Sequence, residues 1–138
     1  MYTLSTESHF DAAHRLSNYD GKCKRLHGHR WVVKIGIKGN HLNDWGAVID
    51  FGDIKKLLNE TLDKFDHRTI LDKNDQENLD LNLPEEGVVW LDGNPTAENI
   101  SRYIFYMLSP AVLKLGTILK YVRVAESPTS YAEYRNES

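Results

Sequence analysis

The chain is short of several things. Only one of its 138 residues is cysteine, only four are proline and only two are methionine. A lone thiol, Cys23, cannot close an internal disulfide, which fits a reducing cytoplasm and leaves the sulfur available for chemistry. No apolar run approaches the roughly 20 residues needed to cross a bilayer. The opening residues MYTLSTESHFDAAH lack the basic start and apolar core of a signal peptide. Positive charge is not in excess either: 17 Lys and Arg against 20 Asp and Glu give a net charge of -3. With no aromatic-basic face, that balance gives no reason to expect nucleic acid. Internal repeats and low-complexity tracts are missing too. The expectation is therefore a soluble cytoplasmic protein, one domain over residues 1–138, with neither a nucleic-acid nor a membrane partner. A chain of this length can bury a real core, and a hydrophobic fraction of 41% is ordinary for one.

What is present reads as strands first. Residues 2–13 carry Thr, Ser and aromatics with no helical stripe, and 16–25 are a polar loop. In 29–38, Trp31, Val33, Ile35 and Ile37 share one face while Arg30, Lys34 and Lys38 share the other, which predicts a strand. Residues 45–51 read as a short extended lead into a helix over 53–65. Its stripe is Ile54, Leu57, Leu58, Leu62 and Phe65, and Asp50 or Asp53 can cap it. The acidic, Asn-rich stretch 71–94 carries little pattern beyond a short strand at 88–91. A second helix starts after Thr96, with Ile100, Tyr103, Ile104, Met107, Leu108 and Ala111 at helical spacing. Pro110 is expected to kink or restart it behind Ser109. Two strands, 117–125 and 130–135, close the chain. This order predicts an α+β fold: a four-stranded antiparallel sheet with two helices packed on one face.

Chemistry concentrates in CKRLHGH, residues 23–29. Positions i and i+2 of a strand point the same way, so His27 and His29 present two imidazoles to one point. A catalytic zinc site takes three protein ligands and keeps one position open, and His14, at the end of the first strand, is placed to be the third. Spacing alone leaves a pair of surface histidines as the other reading. Cys23 is open to three: a fourth ligand closing a structural site, a base or nucleophile beside the metal, or a small packed residue. Its neighbours Lys22, Lys24 and Arg25 suit a thiolate and an anionic substrate. Asp66-His67 is either a proton relay or a polar helix end. Glu126 is either an acceptor for an amino-pyrimidine ring or a solvated strand end. His9 and His41 read as ordinary polar residues.

Six segments, FDAAHRL, GKCKRLHGHRW, VIDFGDIKKLL, DHRTIL, NPTAEN and AESPTSYAEYR, together resemble the 6-pyruvoyl-tetrahydropterin synthase family over nearly the whole chain. The Cys-x-x-x-His-Gly-His spacing is similar to its bacterial 6-carboxytetrahydropterin synthases of the queuosine pathway. The resemblance implies the tunnelling fold, whose subunits form a β-barrel as a homo-oligomer, a hexamer of two stacked trimers or a tetramer, with active sites at subunit interfaces. It implies Zn2+ on His14, His27 and His29, and Cys23, Asp66 and His67 as catalytic groups. Glu126 would anchor the pterin, with Thr96 and Glu98 near it. The implied reaction turns the small-molecule pterin triphosphate 7,8-dihydroneopterin triphosphate into 6-carboxytetrahydropterin, acetaldehyde and triphosphate. The rivals are the pyruvoyl synthase reaction on the same substrate and a non-catalytic zinc-binding oligomer. One departure is the stretch 72–93, longer than compact members need.

Overall fold

The computed structural model describes residues 1–135. Strand β1 (Tyr2–His14) and strand β2 (His27–Gly39) pair antiparallel without a break, from Tyr2 opposite Gly39 to His14 opposite His27. One face of the pair carries Phe10, Ala12, His14, Trp31, Val33, Ile35 and Ile37, all buried. Phe10 and Trp31 face each other across the ladder and stack with centroids 6.1 Å apart. The opposite face is polar, as period-2 alternation requires of a strand with one buried side.

Helix α1 (Phe51–Leu62) and helix α3 (Ala97–Lys114) cover the apolar face. The carboxylate of Asp50 accepts the Gly52 N–H at 2.7 Å, so α1 begins two residues before the expected Asp53. Ile54, Leu58 and Leu62 are its buried stripe, and Phe65 stays buried beyond its end. The lead 45–51 is not extended. Asn43 Oδ1 gathers the N–H groups of Trp45 and Ala47 at 3.0 Å each, folding it into a turn. In α3 the expected cap is present, with Thr96 Oγ1 accepting the Asn99 N–H at 3.1 Å. Pro110 does not interrupt α3. Its ring lies on the exposed side, while Leu108 and Val112 anchor the helix on the buried side.

The expected four-stranded antiparallel sheet is corrected: among the described residues the sheet has six strands and is mixed, in the order β4 (Val88–Leu91), β3 (Arg68–Asp72), β1, β2, β5 (Ile118–Ser127), β6 (Ser130–Arg135). Strand β3 (Arg68–Asp72) follows α1 and lies parallel to the end of β1, and β4 (Val88–Leu91) lies parallel to β3. Among the described residues the α-helices number three. The extra one, α2 (Gln76–Asp80), sits in the segment without pattern and is capped by Asp75. Strands β5 (Ile118–Ser127) and β6 (Ser130–Arg135) complete the other side by antiparallel pairing. Gly36 of β2 answers to a close approach: a Cβ there would meet the Tyr121 ring at 2.0 Å.

Candidate metal centre and active site

The β1–β2 register brings the histidines together. His14 is the direct partner of His27, and His29 lies two residues further along the same face of β2. The three rings sit with centroids 4.6, 5.1 and 4.9 Å apart. From β5, paired to the other side of β2, Glu126 reaches in. Its Oε1 lies 3.3 Å from His14 Nε2 and 3.1 Å from His29 Nε2. One donor atom from each of His14, His27, His29 and Glu126 falls within 4.8 Å of all the others, so this group can hold a metal ion.

The donor chemistry fits an ion. His14 Nδ1 bonds the Pro95 carbonyl at 2.7 Å, and His27 Nδ1 bonds the Arg25 carbonyl at 2.6 Å. A carbonyl only accepts, so each Nδ1 carries a proton, and a ring that ligates a metal from Nε2 would turn that lone pair inward. Those two Nε2 atoms are 3.1 Å apart. Two lone pairs at that distance repel unless a cation lies between them. His29 Nε2 is buried and has no hydrogen bond of acceptable angle, although the Glu126 oxygen is close. Ligand bonds of about 2.0–2.1 Å in a tetrahedron give edges of about 3.3–3.4 Å, close to the spacing here. Burial pushes the His14 imidazole below its ordinary pKa, with the Pro95 bond opposing, which favours the neutral, ligating form.

The other expected residues lie outside the converging set. Cys23 is half-buried in a 3-10 turn, Lys22–Lys24, on the loop joining β1 to β2. Asp66 and His67 form a dyad, Asp66 Oδ2 to His67 Nδ1 at 2.9 Å, on the turn between α1 and β3. Backbone of β1 fixes that dyad: the Asp11 N–H donates to Asp66 Oδ1 at 2.9 Å and the Asp11 carbonyl accepts the His67 N–H at 2.7 Å. His67 is thereby held at φ 59°, a conformation uncommon without glycine. The Asp11 N–H bond leads the causes that hold the Asp66 carboxyl below the usual range, so it stays ionised. His67 is exposed and shares with His29 and Arg30 an open groove of about 470 Å³. Thr96 spends its hydroxyl on the α3 cap, and Glu98 is exposed in the first turn of that helix.

Two contributors escaped the sequence. Pro95, whose carbonyl orients His14, is 81 residues away from it. Arg15, beside His14, is buried and ion-paired to Asp75 and Glu77 at the start of α2. The clue to the second was available, since a buried arginine needs carboxylates and the patternless segment is rich in them.

A family model described as 6-pyruvoyl tetrahydropterin synthase matches residues 3–137. A 6-carboxy-5,6,7,8-tetrahydropterin synthase of Rickettsia conorii is 35% identical over 137 residues, covering 96% of this chain and 99% of that protein. One of the same name from Haemophilus influenzae is 38% identical over 145 residues, covering 98% and 99%. Among solved structures, the Plasmodium falciparum 6-pyruvoyl tetrahydropterin synthase superposes with a TM-score of 0.77 at 27% identity, covering 98% of this chain and 97% of that one.

Proposed function

The chain belongs to the 6-pyruvoyl tetrahydropterin synthase family, a family of lyases, and from that premise we propose that it is a zinc-dependent 6-carboxy-5,6,7,8-tetrahydropterin synthase. The substrate is 7,8-dihydroneopterin triphosphate. With one water it yields 6-carboxytetrahydropterin, acetaldehyde and triphosphate, a step of cytoplasmic queuosine biosynthesis. The observation that carries the reading is the convergence of three imidazole nitrogens and one carboxylate oxygen, beside a loop that holds the only thiol.

His14, His27 and His29 would hold the ion. Bound there, zinc supplies Lewis acidity to the oxygens of the substrate side chain. Glu126 accepts hydrogen bonds from the amino-pyrimidine edge, which fixes the reacting carbons relative to the histidines. Cys23 takes a proton from the side chain as a base. Asp66 takes the Nδ1 proton of His67 into a hydrogen bond, which leaves Nε2 free to accept or return a proton. The first turn of α3, with Thr96 and Glu98, borders the pterin.

Product analysis tests the proposal. Metal-loaded enzyme incubated with 7,8-dihydroneopterin triphosphate is expected to release acetaldehyde and triphosphate in equal amounts. Triphosphate without acetaldehyde, with the three-carbon side chain kept, makes the chain a pyruvoyl synthase instead.

Assembly belongs to the same reading. β4 and β6 are the outer strands of the sheet, and unpaired strand edges invite another chain. We therefore propose a homo-oligomer, two stacked trimers or else a tetramer, with sites completed between subunits. Light scattering at micromolar concentration is expected to give that mass, and a monomer that turns over substrate contradicts it.

A further inference from the structure

We propose that Arg15 is a positioning residue for Cys23, and that α2 serves to aim it. This rests on the reading of Cys23 as the base beside the metal.

The turn that carries the thiol closes on itself by two backbone hydrogen bonds, Lys24 N–H to the Gly21 carbonyl at 3.1 Å and Arg25 N–H to the Lys22 carbonyl at 3.0 Å, but these do not fix it on the rest of the fold. None of its residues is buried, and no side chain caps it. A cleft of about 240 Å³, lined by Arg15, Tyr19, Lys24, Asp75 and Glu77, separates the loop from α2. The loop is held instead by hydrogen bonds to the residues that follow His14. The Leu16 N–H donates to the Cys23 carbonyl at 2.8 Å, and Arg15 Nε donates to the Lys24 carbonyl at 3.1 Å. The peptide carbonyls of Cys23 and of its successor are thus both tied to the end of β1. Arg15 is next to His14 in sequence, so the thiol and the metal position are referenced to one short piece of backbone.

The guanidinium takes its own direction from α2. Its Nη1 donates to Asp75 Oδ2 at 3.2 Å and to Asn78 Oδ1, and its Nη2 to Glu77 Oε2 at 3.1 Å. Arg15 is 7% exposed and Asn78 2%. A cation so buried is tolerated only when its donors are satisfied, and here the fork is filled on both sides. Asn78 in turn donates Nδ2 to the Asp72 carbonyl at 2.8 Å and to Ser17 Oγ at 3.3 Å, which locks α2 to β3 and to the loop. The Asp75 carboxyl is held below the usual range, first by a hydrogen bond with Ser17 and also by Arg15, so it remains an anion for the guanidinium. Lysine at position 15 keeps the charge and cannot span α2 and Lys24 together.

The test uses the metal-loaded protein and the variants Arg15→Lys and Asn78→Ala. The rate of Cys23 alkylation by iodoacetamide is the readout that does not depend on turnover. It is expected to change several-fold in both variants while metal stays at full stoichiometry. With 7,8-dihydroneopterin triphosphate, kcat is expected to fall by about ten- to a hundredfold with KM little altered, the effect of a group misplaced by about 1 Å. Added to Cys23→Ala, either change is expected to cost nothing further. Glu77→Gln, at an exposed carboxylate, is the variant that keeps the fold if the others lose it, and a smaller change in alkylation rate is expected there. Unchanged alkylation, loss of metal, or losses that multiply with Cys23→Ala would each overturn the proposal. If Cys23→Ala itself turns over normally, the reading of Cys23 as the base fails, and the alkylation rates still decide whether Arg15 holds the thiol.

Discussion

Replacing Cys23 by alanine is expected to lower kcat by about 10²–10⁴, the usual worth of a positioned acid or base, with metal retained at full stoichiometry. The sulfur is not among the four donors that converge, so its loss leaves the ligand set complete. Its side chain is half-buried on a turn with no core of its own, so alanine makes no cavity of consequence. Binding of a pterin product is expected to persist, since Glu126 and the histidines remain. Single-turnover kinetics with equilibrium binding separates the two effects. Loss of metal in this variant would mean a closed four-ligand site and would remove Cys23 from the chemistry.

His27→Ala and His29→Ala are each expected to weaken metal binding by well over the about 10–100-fold that follows loss of an outer partner of a ligand, and to abolish turnover. Metal analysis after dialysis against a weak chelator reads the first, and full retention in both variants sinks the assignment. Glu126→Ala is the informative contrast. If the carboxylate serves the pterin, this variant keeps its metal and loses affinity for pterins. If it releases metal like the histidine variants, Glu126 is the fourth ligand. Acid acts in the same direction as the histidine changes. Burial holds the His14 pKa below its ordinary value, so the unfolded chain binds this proton first, below about pH 6.5. The native state, favouring neutral His14, loses that contribution as pH falls further. Metal is expected to be held at pH 7.5 and released on acidification, with a drop in Tm over the same range.

The convergence of the three histidines was legible because one rule, alternation along a strand, governs both the core and the side chains that meet at its end. The residues that bury Trp31 and Val33 also point His27 and His29 the same way, and His14 needed only a hairpin register. The caps at Asp50 and Thr96 were legible because capping is local. β3 was not, because five residues, Arg68–Asp72, contain too little alternation to show a period, and it pairs in parallel with a strand far back in the chain. α2 was hidden for a related reason: its side-chain ties to Arg15 and Ser17 reach residues far back in the chain. Pro110 does not restart α3, because it stands on the exposed side of the helix, where water can solvate the carbonyl it frees. Asp66-His67 could be named from the sequence, but the Asp11 backbone that fixes it belongs to tertiary structure.

The last pair of the β1–β2 ladder, His14 opposite His27, stands where the two strands part into the loop that carries Cys23. Those two histidines are 13 positions apart in the chain. An ion shared between them therefore closes a loop, as a cross-link would, and lowers the entropy of every state in which the hairpin has opened. A disulfide spanning about 15 residues removes roughly 3 kcal/mol of such freedom, and a metal clasp acts on the same term. An ion held there would be a fastener for the segment bearing the thiol as well as a participant at the site. Stripping it is expected to fray the ladder from the His14 end while the Tyr2–Gly39 end stays shut.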